Sequence, residues 1–370
     1  MGYSISKCGR SLAGKPTATR NGVEAMKRYI VLLVLGWATV LSSAQDFSAL
    51  VARADAGDLA AQLQVANAYD MGRGVPADTV QAVTWLRRAA DGGSAEAQNL
   101  LGVKYRRGEG VPKDLVTAAR WYRQAAKLGN AEAMFNLGAA YYNGDGVLEN
   151  STISLAWFLV AAEFGSKSAP DAVQHTGEEL PKSRKLQALL RASDMLVGGE
   201  QVPSRPELAF KILNQAVSLG SHRAEIGLAE LYWKGLGVPR NPSLALQSCQ
   251  DGAAQGIAPA MTCLGEMYQS GDGLPQDAMS AYTWYQKGAA CGEAKSVFQV
   301  GKMLEDGSAG ATDKVEAFAD LLLAGSALPQ AMHEALAIGS QLSDEELKIG
   351  EKKADALLAK IQANACTWAD

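Results

Sequence analysis

Residues 105–126 read YRRGEGVPKDLVTAARWYRQAA, and the chain writes that phrase three times. Residues 69–90 read YDMGRGVPADTVQAVTWLRRAA and residues 141–162 read YYNGDGVLENSTISLAWFLVAA, so Tyr, Gly-x-Gly-Val, Trp and Ala-Ala return every 36 residues without insertion. A fixed period of this size marks stacked helical repeats. One unit cannot bury its apolar face alone, so neighbours stack and leave a long open surface suited to binding rather than to chemistry.

Each period divides at its glycines into two helices. Ala95–Arg107 places Ala97, Leu101, Gly102 and Tyr105 at helical spacing. Gly108-Glu109-Gly110-Val111-Pro112 breaks that helix, because Gly accepts positive φ and Pro cannot continue. Asp114 then caps a second helix carrying Ala118, Trp121, Tyr122, Ala125 and Ala126, and Gly129 ends it. Helices of about 12 residues are marginal alone, so stacking has to stabilise them.

The pattern lapses and restarts. Tyr232–Gly235–Gly237–Val238–Ala245 and Tyr268–Gly271–Gly273–Leu274–Trp284–Tyr285 are further copies, followed by a worn one at Leu304, Gly307, Ala317 and Phe318. Tyr69 to Tyr232 and Tyr141 to Leu304 are both steps of 163 residues. Each array opens on a lone second helix, at 46–56 and Pro206–Leu219, and closes on a non-consensus segment, Lys182–Leu196 and Asp344–Leu358. Pro181 suits a first helical turn, and Ser343 with Glu346 forms a capping box. The expectation is an all-α chain of two tandem modules, 45–200 and 201–361, each a half-repeat, three repeats and a cap, joined near Gly198–Pro206 and followed by a tail at 362–370.

The formal net charge of the 370 residues is −4, but residues 1–44 hold six Lys/Arg against Glu24 alone. What remains carries 29 basic and 38 acidic residues, a net −9 that argues against nucleic acid and anionic membrane as partners. Met26–Ala44 has the form of a secretory signal: Lys27 and Arg28, the apolar run Ile30–Leu41, then Ser42-Ser43-Ala44 before Gln45. The run is short of the ~20 apolar residues that span a bilayer. Residues 1–25 are expected to be an upstream extension with Met26 as the start, and the mature protein to be exported, to a bacterial periplasm or beyond, with no membrane insertion after cleavage.

Four cysteines follow the signal: Cys249, Cys263, Cys291 and Cys366. They permit two disulfides in three connectivities, or plain buried thiols. Cys249 and Cys263 lie symmetrically about Gly256 in a turn between antiparallel helices and are the first choice as a pair, which leaves Cys291 with Cys366 to pin the tail.

Ala95-Glu96-Ala97-Gln98, Leu101-Gly102, Tyr105, Gly108-x-Gly110-Val111, Asp114, Ala118, Trp121-Tyr122, Ala125-Ala126 and Gly129 closely resemble the Sel-one-like repeat family, solenoid repeats related to tetratricopeptide repeats. The likeness runs from about Asp46 to Lys360. It implies an α/α solenoid, a right-handed superhelix of helix-turn-helix repeats, and an adaptor or scaffold role that in exported bacterial members lies in the cell envelope. Some cysteine-rich members are described as binding or hydrolysing penicillins. Those carry regular cysteines where this chain has Ala126 and Met134, so their disulfide ladder is absent.

No catalytic constellation stands out. The Gly-x-Gly turns follow helices instead of a strand, which makes them structural rather than phosphate loops. His175, His222 and His333 stand far apart without metal-ligand spacing, and Ser-x-x-Lys occurs only as Ser4–Lys7. No cofactor or metal is expected. With Leu, Gly and Tyr of each first helix turned into the stack, periodicity sends Asn67, Asp70, Met71, Asn99, Arg106, Arg107, Phe135, Tyr142 and Asn143 to the inner face of the first array. In the second array it sends Glu230, Trp233, Lys234, Glu266, Phe298 and Lys302 there. Trp233 is off the repeat's tryptophan position, and the reading takes it as an exposed anchor or as packed under the opposing cap. The expected function is a non-enzymatic adaptor holding a peptide or protein partner, an envelope regulator or cell-wall enzyme, in the concave groove. The alternatives are a β-lactam or peptidoglycan binder or hydrolase, and a secreted factor engaging a host protein.

Overall fold

The computed structural model describes residues 46–308 and 310–363. The expected leader over 1–44 and the tail cysteine Cys366 lie outside the described residues. Among the described residues there are eighteen helices and no strand, arranged as an α/α solenoid. They fall into two compact units: the chain to Ala97 with Arg107–Pro112, and Gln98–Arg106 with everything from Lys113 on.

The first unit holds α1 (46–55), α2 (Leu59–Met71) and α3 (Thr79–Asp91). Asp58 caps α2 by accepting from the Ala61 N–H, and Asp78 caps α3 by accepting from the N–H groups of Val80 and Gln81. The Asp78 N–H reaches back to the Tyr69 carbonyl at 2.8 Å, closing the turn between the pair. Val65, Val83, Trp85 and Leu86 are buried, and Phe47 stands edge-on to Tyr69 at 5.6 Å. Gly110 sits at φ +72°, and a Cβ there would lie 2.3 Å from the Thr79 carbonyl oxygen. The second glycine of the turn therefore lets one repeat rest on the backbone that opens the previous second helix.

Helix α4 (Ala95–Arg107) contributes to both units. The second unit continues with α5 (Leu115–Lys127), α6 (Ala131–Asn143), α7 (Ser151–Glu163), α8 (Ala169–Glu179), α9 (Lys182–Gly198), α10 (Pro206–Ser218), α11 (His222–Lys234) and α12 (Pro242–Ala254). It ends with α13 (Ala258–Ser270), α14 (Ala278–Ala290), α15 (Ala294–Asp306), α16 (Lys314–Ala324), α17 (Pro329–Gly339) and α18 (Asp344–Ala363). The turn-closing bond recurs throughout: Asp114 to Tyr105 at 2.9 Å, Asn150 to Tyr141 at 2.8 Å, Asn241 to Tyr232 at 2.7 Å, Asp277 to Tyr268 and Asp313 to Leu304 at 3.0 Å. A glycine in the first helix receives an aromatic ring of the second, Gly102 under Tyr122, Gly138 under Phe158 and Gly265 under Tyr285; a Cβ at any of the three would fall within 2.7 Å of the ring.

Helices α9 and α10 pair in the same way. The Arg205 N–H donates to the Leu196 carbonyl at 2.8 Å, Gly199 takes the left-handed conformation, and Val202 is buried. One apolar cluster runs through Tyr122, Trp157, Leu196, Val202, Ile212 and Leu231. A second gathers Tyr285, Phe318, Leu321 and Ile338, and a third Ile226, Trp233, Cys249, Cys263 and Met267. The Cys249–Cys263 disulfide ties α12 to α13, as their symmetry about Gly256 led one to expect. The Ser343–Glu346 capping box is formed at the start of α18, with Glu346 accepting from the Ser343 N–H at 2.8 Å.

Candidate inner-face binding site

The inner-face residues expected from the sequence do not form one site. In the first unit Asn67 and Met71 are exposed, Asp70 is half-buried, and Arg107 is exposed beside Glu109 at 3.6 Å. In the second unit Asn136 donates to the Asn99 side-chain oxygen at 2.9 Å, which joins α6 to α4. Arg106 is half-buried. Phe135 packs against Phe158 with centroids 5.4 Å apart, so its ring serves the core. The Tyr142 hydroxyl donates to the Glu179 carboxylate at 2.8 Å, and that acceptor raises its pKa; Asn143 is exposed at the end of α6.

Trp233 requires a correction. It is not an exposed anchor: it is 8% exposed, packs in the cluster with Cys249 and Met267, and donates its indole N–H to Asp272 at 2.8 Å. Arg240 bonds the same carboxylate and, with the indole, holds its pKa below the ordinary value. The reason is periodic: one residue beyond Tyr232 the helix has turned about 100°, which aims the indole at the next repeat's Gly271–Gly273 turn. Phe298 and Lys302 also stay near structure, the ring against the second-repeat core and the ammonium between Glu305 at 2.8 Å and Glu334 at 3.2 Å.

Glu230, Lys234 and Glu266, by contrast, converge. They line a recess of about 170 Å³ between α9, α11 and α13, reached also by Glu293 and Lys295 at the start of α15. Its floor is apolar, with Leu190, Leu213 and Ile226. Asp194, Glu230 and Glu266 stand on successive first helices at the same position, 36 residues apart. Lys234 bonds Glu230 at 2.8 Å within α11. Burial pushes up the Glu266 carboxyl, and the Glu230 charge pushes it further. Burial by the surrounding helices also raises Asp194 and Glu293, against the opposing pull of Arg223 and Lys295. At Glu230 burial acts the same way, but Lys295 and Lys234 together outweigh it and hold the carboxyl low. The disulfide's Cys263 forms part of the wall, so the covalent brace lies directly behind the recess.

Asp194, Arg223, Glu293 and Lys295 were missed from the sequence. Asp194 carried a usable signal, since stepping back one period from Glu230 lands on it. The Sel1 repeat model matches residues 59–94, 95–130, 131–166, 186–221, 222–247 and 258–293. The chain belongs to the Sel1 repeat family. The fourth of these matches spans α9 and α10, so the family's repeat pattern runs through the glycine-rich stretch between them. Sel1 repeat proteins are generally protein–protein interaction scaffolds and typically non-enzymatic.

No curated protein matches. Among solved structures the chain is similar to c5321, a protective antigen of uropathogenic Escherichia coli with this fold, at 21% identity over 85% of this chain and 95% of that one, TM-score 0.33. It is also similar to a Sel1 repeat protein from Oxalobacter formigenes, at 28% identity over 62% of this chain and 86% of that one, TM-score 0.29. A third is the immunity protein Pa5087 from Pseudomonas aeruginosa, at 17% identity over 80% of this chain and 83% of that one, TM-score 0.23. Among the described residues no three His, Cys, Asp or Glu are grouped to hold a metal ion, and no helix is long and apolar enough to cross a membrane.

Proposed function

We propose that this chain is an adaptor of the bacterial cell envelope that holds a peptide segment of a protein partner along the inner face of its first helices, centred on α9, α11 and α13. The observation that carries this reading is the recess of about 170 Å³, whose charged groups repeat with the period of the fold while its floor stays apolar. Polar groups over an apolar floor are what a specific binding cleft presents, and interface energy concentrates in a few such central positions. The basic, apolar and small-residue succession of Met26–Ala44 supports export, and the acidic remainder supports a protein partner over nucleic acid.

The test is capture from envelope extract by the mature chain from Gln45, identification of the captured protein, and titration of that purified protein. The adaptor reading requires a saturable complex that Glu230→Ala with Glu266→Ala weakens and that Asp251→Ala, at an exposed position of α12, leaves intact. Equal binding by both variants would remove the inner face from the interface.

A further inference from the structure

The recess is too small for a peptide. Whole ligand pockets run to roughly 300–1,000 Å³, and a space of about 170 Å³ accommodates one long side chain. Its charges do not balance either. Four carboxylates, Asp194, Glu230, Glu266 and Glu293, face three cations, Arg223, Lys234 and Lys295, so the lining itself carries one more negative than positive charge.

The pairing inside the recess shows where that charge stands. Glu230 is taken by Lys234 at 2.8 Å, whereas Asp194 and Glu266 have no hydrogen-bond or ion-pair partner among the described residues. A separate observation points the same way. Ser193, on α9 beside Asp194, is 3% exposed, lines the recess, and its hydroxyl has no hydrogen-bond partner among the described residues. Its oxygen opens onto the recess instead of being sealed in the core, so a ligand's proton can take the place of solvent there. By contrast the Thr262 hydroxyl on the facing helix is already bonded to Ser296 at 2.7 Å.

We propose that the recess between α9, α11 and α13 is a specificity pocket for one cationic side chain, a lysine or arginine, of the bound partner segment. The alkyl stem lies along Leu190, Leu213 and Ile226, the charged head meets Asp194 and Glu266, and the Ser193 hydroxyl accepts one of its protons. This rests on the adaptor reading above and names what the inner face selects. Entry of the cation gives a hydrogen-bonded partner to two carboxylates that each stand near the Glu230 charge. The exposed Lys295 at the rim turns away a second cation.

The test is selection of random linear phage-displayed peptides on the full mature chain, followed by titration of the selected sequences. The pocket predicts enrichment of peptides with a Lys or Arg at one fixed position. Replacing that residue by norleucine should weaken binding about tenfold or more on the native protein, and less than about twofold on an Asp194→Asn/Glu266→Gln protein. Nα-acetyl-lysinamide at high concentration should compete with the selected peptide. Because both substitutions are near-isosteric and remove crowded charges, the variant should melt no lower than the parent, which separates lost recognition from lost folding. Selected peptides that bind without a fixed cation would overturn the pocket and leave the adaptor reading standing. Failure to select any peptide would overturn both.

Discussion

The Arg205 amide donates to the Leu196 carbonyl at 2.8 Å, the bond that Asp114 makes to Tyr105 and Asn241 makes to Tyr232. It places Leu196 at the tyrosine position and Arg205 at the N-cap position of a repeat whose sequence has lost both consensus residues. Through it α9 is a first helix, and Asp194, two residues before Leu196, faces the recess as Glu230 and Glu266 do.

The two glycines of each turn should respond differently to alanine. At Gly144, φ +71°, the nearest group to a Cβ is 3.6 Å away, so Gly144→Ala meets only the left-handed penalty of about 1–2 kcal/mol. At Gly146, φ +72°, the Cβ would lie 2.1 Å from the Leu115 carbonyl oxygen, and the repeats must part to admit it. Urea unfolding should show Gly146→Ala losing clearly more stability than Gly144→Ala, and equal losses would contradict the backbone-contact account.

Asp320 gives the stability a pH dependence. It is 4% exposed in α16, and burial first, then the charges of Glu316 and Asp313, push its carboxyl up to about 7, with Lys353 on α18 pulling the other way. On α14, burial first and then the same Asp320 charge raise the Tyr282 hydroxyl. The folded value exceeds the unfolded one, so the native state binds more protons between about pH 4 and pH 7 and loses stability as pH rises through that window. Asp320→Asn should therefore stabilise the chain at pH 8 and flatten the decline, an effect on the order of 3 kcal/mol that melting curves across pH 4–8 would register. A variant curve parallel to the parent's would place the pH response elsewhere.

The Cys249–Cys263 disulfide closes a loop of sequence separation 14, for which loop entropy suggests about 3 kcal/mol. Replacing both cysteines by alanine should lower stability by about that much and loosen α12 and α13, visible as faster amide exchange there. Unchanged exchange in those two helices would show that the apolar cluster alone holds them.

Trp233 is assigned to structure. Trp233→Phe removes the indole donor from Asp272 and should cost about 1–2 kcal/mol of stability while leaving partner affinity unchanged. Lost affinity at full stability would return it to the interface.

The repeat architecture was legible because its determinants are local. Gly-x-Gly, an Asp or Asn cap and an aromatic meeting a glycine recur at fixed spacing, and each fixes backbone geometry where it stands. The α9–α10 pair was harder to read because Leu196 and Arg205 keep the backbone bond without its usual side chains; Gly199 and Val202, 36 residues before Gly235 and Val238, kept part of the motif, while Gln201 stands where the second glycine would be. Helical periodicity put Glu230, Lys234 and Glu266 on one face, and the three line one recess. It misplaced Trp233, because a position's direction depends on the neighbouring repeat's turn as well as on its own helix. Lys295 and Arg223 stand two periods apart with Pro259 between them, a spacing that carries no motif until helices are stacked.

The central claim is that binding occurs on the inner face of the first helices. Amide hydrogen exchange of the chain from Gln45 with and without a saturating selected peptide tests it most directly. Slowed exchange concentrated in α9, α11 and α13, with α10, α12 and α14 unchanged, is the predicted result. Protection confined to α10, α12 and α14 would contradict the account.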